Sequence, residues 1–487
     1  MLARLIEEAR RGWFAHAFPS DAGSLAFARG LDSEDEQKDL RSEFIIPAKA
    51  SLTKTSLDSG VAEADEESDE CIYLIPHGQG LQPKAVSKYV AAQLETWASM
   101  GVRGHYNKLS GSPLRPWQDM AEDCAKRLAF VVGALETEVT VMNGTSVNLH
   151  LMMASFYKPT ERRHKILTEV GSFPSDKYVV ESQVRWHEKF KPEESIVKIS
   201  AEDENTGIIS TERILSVIDE HAEETALLLL PGVQYYTGQL FDIPTITAHA
   251  KKHGIIVGWD LAHAAGNVEL KLHDWNVDFA VWCQYKYLSC GPGSIAGAFV
   301  HDSWTKSVPD GLSSAGEPYP PRLSGWYGSE PESRYNREMR AFKPMEGAAG
   351  FQVSNPSAMD LAIVSAALSV FSKHSMFDLR GRSMALTAYT QYLLDKILAD
   401  IQANNPDAPA PFTYLTPRDP KQRGAQLSLK FGSPSVVEST MRILTGNGIA
   451  CDLQKSGLMR LSPSPMYTRF EDLWIFGNVL RIALGLP

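Results

Sequence analysis

The sequence holds 487 residues, which exceeds one ordinary hydrophobic core, indicates two or three domains and argues against a small binding module. Apolar residues make up 43% and charged residues 22%, so the composition excludes wholesale disorder. The balance of 48 basic and 59 acidic residues gives a net charge of −11, which argues against a general attraction to nucleic acid or to anionic membranes.

The cysteines and the N-terminal residues indicate where the protein works. The cysteines are odd in number and form no C-x-x-C motif, so we expect neither a disulfide framework nor a zinc ribbon; they are Cys71, Cys124, Cys283, Cys290 and Cys451. The first residues carry charges among their apolar positions, and no stretch approaches the roughly 20 apolar residues of a membrane span. The sequence therefore predicts a cytoplasmic protein with no membrane or nucleic-acid partner.

The first quarter of the chain predicts helices. Helical spacing over residues 2–13 predicts an amphipathic N-terminal arm, and six acids in residues 62–70 predict a solvated loop. Two further apolar stripes end at Gly101 and Gly133 and predict helices that face the core. Their members are Val86, Val90, Leu94 and Trp97 in the first, and Trp117, Met120, Cys124, Leu128 and Val131 in the second.

The central part alternates short apolar runs with helical patterns, which is typical of an α/β fold with a largely parallel sheet. The predicted strands are EVTVM, KILTEV, ALLLLPGV, GIIVGWDLAH, VDFAVWC and IAGAFVH. After Met359 come long helical stretches, the strand-like QLSLKF and GLMRLSP and a final helix, which predict a smaller α+β domain. We expect an N-terminal arm with its acidic loop at 1–75, a large domain at 76–358 and a small domain at 359–487.

Three of the predicted strands end in residues that carry chemistry. One ends in Asp260, another runs into Tyr285 and Lys286, and EVTVM is followed by small and hydroxyl residues that include Thr145 and Ser146. In open α/β sheets the reactive residues gather beyond the carboxyl ends of the strands.

These residue types together favour pyridoxal phosphate. A helix N-terminus binds phosphate, a desolvated lysine forms a Schiff base, and an aspartate keeps a pyridine nitrogen protonated. Each signal alone has a plainer interpretation, because hydroxyls and aspartates often cap helices and lysines are usually solvated. The order and spacing of the residues carry the prediction.

Five segments give the chain a resemblance to kynureninases, which are fold-type I pyridoxal-phosphate enzymes of the class V aminotransferase-like group. The segments are WDLAHAAGNVELKLHDWNVDFAVWCQYKYLSCGPGSIAGAFV, FPSDKYVVESQ, PGVQYYTGQLFDIP, LSGWYG and VSNPS. The resemblance implies a seven-stranded-type large domain, a homodimer and pyridoxal 5'-phosphate as cofactor. It also implies hydrolysis of the Cβ–Cγ bond of L-kynurenine or its 3-hydroxy form, giving L-alanine and an anthranilate.

The resemblance also assigns roles to individual residues. Lys286 would bond the cofactor, Asp260 would pair with its ring nitrogen, and Tyr285 would act in proton transfer. Further matches to cofactor-binding positions are Thr145, Ser146, Phe173, Asp176, His263, Tyr285 and, across the dimer, Trp326. Matches to substrate-binding positions are His105, Asn355 and Arg460, the last holding the substrate carboxylate.

The chain departs from the family pattern on the substrate side. The usual GNSLGLQPK has His77 and Gly78 in place of Asn-Ser, and Arg103 replaces an aromatic residue before His105. The segments SRYNREMRAF and RLSPSPMYT also differ, the second from a family RVAPxPLYN. Since the substrate wall fixes the molecule accepted, two hypotheses stay open: a working kynureninase, or a paralogue for a modified kynurenine or another amino acid.

Two other classes of protein compete with these hypotheses. His249 and His253 form H-x-x-x-H, but the motif lacks the Glu of H-E-x-x-H and an evident third ligand, so we predict solvent-facing histidines and no metal. The second competing class is a non-catalytic protein that binds pyridoxal phosphate. The presence of Lys286, Asp260 and Arg460 argues against it.

Overall fold

The computed structural model describes residues 1–12, 18–55, 69–203, 205–305, 321–334, 342–454 and 456–486. Trp13, most of the acidic run at 62–70 and most of SRYNREMRAF lie outside these ranges. Helices α1 to α14 span Leu2–Arg11, Leu25–Glu34, Ala85–Met100, Trp117–Val132, Thr145–Phe156, Pro174–Trp186, Pro192–Ser195, Thr211–His221, Ile243–Lys252, Pro331–Arg334, Ala358–Phe371, Met376–Asn404, Pro434–Gly446 and Phe470–Ala483. Strands β1 to β13 span Ile72–Tyr73, Val139–Met142, Lys165–Glu169, Ile196–Ile199, Thr225–Pro231, Ile256–Asp260, Phe279–Trp282, Ala296–Val300, Phe412–Tyr414, Leu427–Phe431, Ile449–Ala450, Asp452–Gln454 and Leu458–Leu461.

Contacts divide the chain into two units. Unit 1 comprises residues 1–84, 235–240 and 373–487, and unit 2 comprises residues 85–234 and 241–372. The domain boundaries expected at 76 and 359 remain a prediction. Among the described residues, no helix is both long and apolar enough to cross a membrane.

Unit 2 is built around a mixed sheet of seven strands in the order β2-β8-β7-β6-β5-β3-β4. Only β8 runs antiparallel to its neighbours, and the other pairs are parallel, so the predicted α/β fold is confirmed. All six predicted strands form, and β4 joins them at one edge. The sheet is buried because its strands are apolar on both faces, as in other parallel sheets covered by helices.

Two neighbouring strands of the sheet pack closely where a large side chain lies against a glycine. Trp282 of β7 is fully buried and lies opposite Gly297 of β8. A Cβ added to Gly297 would lie 2.3 Å from the indole, so only glycine leaves room for this ring. The strand that carries the chain toward Lys286 is thereby fixed against its neighbour.

The two predicted core-facing helices of unit 2 have different outcomes. The apolar stripe of α4 is buried, with Met120, Cys124 and Leu128 at most 1% exposed. The expectation for α3 is wrong, since Leu94 is 48% and Trp97 65% exposed. The buried residues of helix α3 are instead the polar Gln93 and Thr96. The side chain of Gln93 accepts a hydrogen bond from the indole N–H of Trp117 at 2.9 Å.

Unit 1 contains the predicted antiparallel sheet of the C-terminal part, in the order β12-β13-β10-β9. The N-terminal helix forms as expected over Leu2–Arg11 and packs into the same core as α12 and α14. A buried ion pair joins Asp35, just after α2, to Arg382 of α12 at 2.7 Å, and both side chains are at most 4% exposed. The N-terminal arm is therefore an integral part of unit 1.

Candidate active site

The turn between β2 and α5 leaves a helix N-terminus open. Asn143 adopts a positive φ of 49°, and its side chain donates to Asn148, which in turn donates to the carbonyl of Met142. These bonds fix the turn that leads into Thr145 and Ser146, the first residues of α5. No side chain caps this helix, so its first N–H groups and its positive dipole end are available to an anion.

A second helix begins beside the first. Phe173 is the N-cap of α6, Pro174 opens the helix, and Asp176 lies in its first turn. The hydroxyls of Ser146 in α5 and Ser175 in α6 form a short hydrogen bond, so the two helix starts adjoin. Two adjacent helix N-termini with hydroxyl side chains suit a phosphate group better than either does alone.

Lys286 and Asp260 lie at the same edge of the sheet as these helix starts. Strands β2, β6 and β7 all run in one direction, and Asp260 ends β6 while Lys286 follows β7. Lys286 is 9% and Asp260 7% exposed. The Lys286 ammonium lies 5.8 Å from the centre of the Phe173 ring, so the structure brings lysine and aromatic ring together as the sequence predicts.

The carboxyl groups of Asp176, Asp260 and Glu169 interact with one another, and Asp176 also interacts with Lys286. Burial, and then the charge of Asp260, hold the pKa of Asp176 well above its ordinary value, while Lys286 opposes this shift. Burial also raises the pKa of Glu169, at the end of β3, to about 8, and Gln234 donates to it at 3.3 Å. Burial and the neighbouring acids thus raise the pKa of both Asp176 and Glu169, which favours the neutral form of these two side chains.

Tyr285 adjoins this cluster and keeps its proton. Burial raises the pKa of its phenol, and the neighbouring Cys283 raises it further. The Lys286 ammonium lies 5.9 Å from the centre of the Tyr285 ring. A phenol that stays protonated is a hydrogen-bond donor, so Tyr285 adds a donor group beside the lysine.

The side chains present fit pyridoxal phosphate. An open pair of helix N-termini matches a phosphate, a buried amine matches an aldehyde, and a buried carboxylate matches a protonated pyridine nitrogen. Phe173, 45% exposed beside the lysine, offers an aromatic face for the ring. The residues that would hold the group are Thr145, Ser146, Phe173, Asp176, Asp260 and Lys286.

Other predicted site residues of unit 2 lie in different surroundings. His263 is 6% exposed and packs edge-on toward Tyr287, with ring centres 6.4 Å apart. His105 packs edge-on against Trp117 at 5.1 Å. Trp326 is 46% exposed and Asn355 is also exposed. The roles of His105, Trp326 and Asn355 remain predictions.

Arg460 lies in unit 1, on β13, and forms a defined cluster there. Its Nε atom donates to Asp452 at 2.6 Å, its Nη2 atom lies 2.5 Å from the same carboxylate as an ion pair, and its Nη1 atom donates to the carbonyl of Tyr235 at 2.8 Å. Burial acts to raise the pKa of Asp452, but His77 and then Arg460 together hold this pKa below its ordinary value. The guanidinium is 13% exposed and is held in one orientation.

The departures from the family pattern differ in their surroundings. His77 is 2% exposed, and its Nδ1 atom lies 2.9 Å from the hydroxyl of Ser462, while its Nε2 atom is 3.9 Å from the Asp452 carboxylate. Arg103 is exposed, and its carbonyl accepts hydrogen bonds from the backbone N–H groups of Tyr106 and Asn107. The substitution at His77 thus belongs to the Arg460 cluster, whereas the structure gives no reason for Arg103.

The sequence analysis missed several residues of these clusters. Glu169 closes a predicted strand, so the strand-end rule that identified Asp260 could have found it. Ser175, Gln234 and Asp452 carry no such signal, because each meets its partner only through the fold.

Two family models match the chain. The aminotransferase class-V model matches residues 72–330, and the kynureninase C-terminal domain model matches residues 379–480. The first covers more than half of the sequence and includes every predicted cofactor-binding residue. The second includes Arg460 and its partner Asp452.

Several curated fungal proteins are similar to this chain over nearly their whole length. Kynureninase 1 of Neurospora crassa is 54% identical over 478 residues, covering 96% of each chain. Kynureninase 2 of Phaeosphaeria nodorum is 48% identical and covers 96% of this chain and 93% of that protein. The kynureninase of Pyricularia oryzae is 48% identical and covers 96% of each.

Solved structures with the same fold are more distant in sequence. A cysteine desulfurase from Thermococcus onnurineus has a TM-score of 0.63 at 18% identity, covering 85% of this chain and 95% of its own. The cystine C–S lyase C-DES has a TM-score of 0.64 at 16% identity, covering 84% and 97%. These likenesses support the fold alone.

Proposed function

This chain belongs to the kynureninase family, and we propose that it hydrolyses the Cβ–Cγ bond of L-kynurenine or 3-hydroxy-L-kynurenine with pyridoxal phosphate as cofactor. The observation that carries the proposal is the gathering of Lys286, Asp260 and Phe173 beside two open helix N-termini. That arrangement occurs in a chain 54% identical to a kynureninase over nearly its whole length, which favours this substrate over that of a divergent paralogue.

Bound pyridoxal phosphate supplies an electron sink that is conjugated to the substrate Cα. Asp260 keeps the positive charge on the ring nitrogen, since a buried carboxylate stabilises a nearby cation. Lys286 would hold the cofactor covalently, and its free amine would move the proton from the substrate Cα. Tyr285, which stays protonated, acts in the proton transfers beside Lys286.

The net reaction adds one water across the Cβ–Cγ bond. The oxygen of water joins the γ-carbonyl carbon, which leaves as the carboxyl group of an anthranilate, and a proton joins Cβ to complete alanine. Arg460 binds the substrate carboxylate through charge-assisted hydrogen bonds. Asp452 is a positioning residue, because it orients the guanidinium of Arg460.

The test is alanine release by cofactor-loaded enzyme supplied separately with kynurenine and 3-hydroxykynurenine. Lys286→Ala removes the covalent bond to the cofactor and serves as the blank. Lys126→Ala is the matched control, because Lys126 is 48% exposed and pairs with Glu122 on the surface of α4. We expect alanine and the matching anthranilate from the wild type and from Lys126→Ala only.

Two results would contradict different parts of the proposal. A visible absorption band of lysine-bound cofactor that persists in Lys286→Ala would overturn the assignment of that lysine. A normal band without alanine from either substrate would retain the cofactor and overturn the substrate.

We further propose that the active form is a homodimer. The stripe on α3 that was expected to face the core is exposed at Leu94 and Trp97, and Val102 and Tyr106 extend it at 74% and 51% exposure. Exposed apolar patches of this kind mark protein interfaces. The exposure of Trp326 agrees with the predicted contribution of this residue to the partner's site.

We also propose a reducing, cytoplasmic location. All five cysteines are buried free thiols, as expected of a protein that folds where thiols stay reduced.

A further inference from the structure

The two histidines of the H-x-x-x-H motif lie beside a carboxylate in the structure. His249 lies in the last turn of α9 and His253 is the residue that caps it, four positions later. Both imidazoles direct their Nε2 atoms at one oxygen of Asp219, near the end of α8, at 2.7 and 2.9 Å. The sequence analysis did not identify Asp219 as a neighbour of these histidines, because it precedes His249 by 30 residues.

From this geometry we infer that Asp219, His249 and His253 bind a divalent transition-metal ion of the Zn²⁺ class on the surface of unit 2. Nitrogen and carboxylate ligands at tetrahedral positions around Zn²⁺ lie about 3.3 Å apart, as bonds of about 2.0–2.1 Å require. The observed separations are about 0.5 Å shorter, so small side-chain rotations make room for the ion.

The three side chains are accessible to an ion from solvent. The imidazoles of His249 and His253 are 22% and 33% exposed, and the Asp219 side chain is 54% exposed. Water can therefore fill the remaining coordination positions. Two imidazoles with one carboxylate favour Zn²⁺, Ni²⁺ or Cu²⁺, whereas Mg²⁺ and Ca²⁺ prefer ligand sets made of oxygen.

The helices that carry the ligands are anchored at other points. Asp242 caps the start of α9, and Arg163 donates to the carbonyls of His253 and Gly254 at its end. Ser210 caps the start of α8. With the helices anchored, a bound ion would join the ends of α8 and α9 at little cost in backbone order.

The site lies apart from the candidate active site. His253 precedes β6 and Asp260 ends it, so the length of the strand, roughly 15 Å, separates them. The cluster also lacks the glutamate of H-E-x-x-H that acts as a base in metal hydrolases. The ion therefore stabilises unit 2 and takes no part in the chemistry at Lys286.

A second His and carboxylate cluster of unit 2 is better explained as a structural network. Glu138 is fully buried, and its oxygens accept from the backbone N–H groups of Leu135 and Asp302 and contact Nδ1 of His273 at 2.9 Å. These bonds occupy the carboxylate, so it is less free to bind an ion. The cluster provides an internal comparison for the test.

The test is titration of the tag-free, cofactor-loaded enzyme with ZnCl₂ by calorimetry, with Co²⁺ as a spectroscopic substitute. We expect a single ion per chain and a higher Tm. Removing a residue that only hydrogen-bonds to a metal ligand typically lowers metal affinity about 10- to 100-fold. Because His249→Asn and Asp219→Asn remove a ligand itself, each should weaken binding at least about tenfold. MgCl₂ should not bind.

The matched control is His187→Asn, which removes an imidazole that packs on Tyr157 elsewhere in unit 2. It should bind Zn²⁺ as the wild type does, and all variants should keep the cofactor absorption band and their Tm without metal. The inference is overturned if no ion binds, if binding survives in His249→Asn and Asp219→Asn, or if only His273→Asn abolishes it. None of these results bears on the reaction at Lys286.

Discussion

Replacing Arg460 with lysine keeps the positive charge and removes the planar fork. A guanidinium has five N–H donors, and two are already used: Nε donates to Asp452, and Nη1 donates to the carbonyl of Tyr235, while Nη2 lies within ion-pair distance of Asp452. At least one donor therefore remains on each of the two Nη atoms. These two N–H groups can grip a carboxylate end-on, with both oxygens bound.

The size of the effect follows from this count of donors. A lysine ammonium in the same place can donate to one carboxylate oxygen while it also meets Asp452, so one charge-assisted hydrogen bond to the substrate is lost. Such a bond contributes about 1.5–3 kcal/mol. We therefore expect Arg460→Lys to lower kcat/KM about 13- to 160-fold, at 1.36 kcal/mol for each factor of ten.

The assay compares the steady-state kinetics of kynurenine hydrolysis in three variants. In Arg460→Lys the loss should lie mainly in KM, because the substrate carboxylate is bound alike in the ground state and the transition state. Asp452→Asn should have a smaller effect, since it loosens the arginine without removing it. Arg469→Lys is the matched control, because Arg469 pairs with Asp472 in the same unit.

The reasoning would be refuted by an Arg460→Lys enzyme with unchanged kcat/KM. A loss confined to kcat would also contradict it, because the arginine would then act on the chemical step rather than on the carboxylate.

Two further predictions concern stability and assembly. Because burial holds the pKa of Glu169 at about 8 instead of 4.5, the folded chain keeps a proton that the unfolded chain releases between these pH values. Urea unfolding of cofactor-free protein should therefore show stability falling by about 3–5 kcal/mol from this group as pH rises through that window. Glu169→Gln should flatten the decline, and an equal slope would contradict the pKa. Trp97→Glu should weaken the dimer about 30- to 1,000-fold in sedimentation experiments, as loss of an aromatic anchor does. The same change at Trp186, 82% exposed on α6, should not weaken it, and equal effects at both positions would count against an interface at α3.

The sequence predicts the sheet of unit 2 well because its strands are short apolar runs between polar or glycine-containing turns. The strand-end rule succeeds for Asp260 and Lys286 for a physical reason: strands that run in one direction deliver their carboxyl ends to one edge. Periodicity fails for α3, because a helical stripe shows that one face is apolar and does not show what covers that face. The apolar face of a helix can be covered either by the core of its own chain or by a partner subunit.

Contacts between distant parts of the chain set the other limit. Asp219 meets His249 and His253 through the packing of α8 on α9, and Asp452 meets Arg460 through the pairing of β12 with β13. Neither carboxylate lies at a spacing that a motif would recognise. Side chains that complete a cluster from another element become visible only when the fold is known.

The departures around Arg460 are related through one such contact. His77 stands where the family has Asn, and Ser462 stands where the family RVAPxPLYN has Ala; the two side chains meet at 2.9 Å. A buried polar group without a partner costs about 1–3 kcal/mol, so an imidazole at His77 without the Ser462 hydroxyl would be unfavourable. The second change offsets the first, and Arg460 keeps its ion pair with Asp452. The drift on the substrate side thus includes a compensated pair that leaves Arg460, the residue that we propose binds the substrate carboxylate, in its ion pair, which favours retention of the family's amino-acid substrate over a change of substrate.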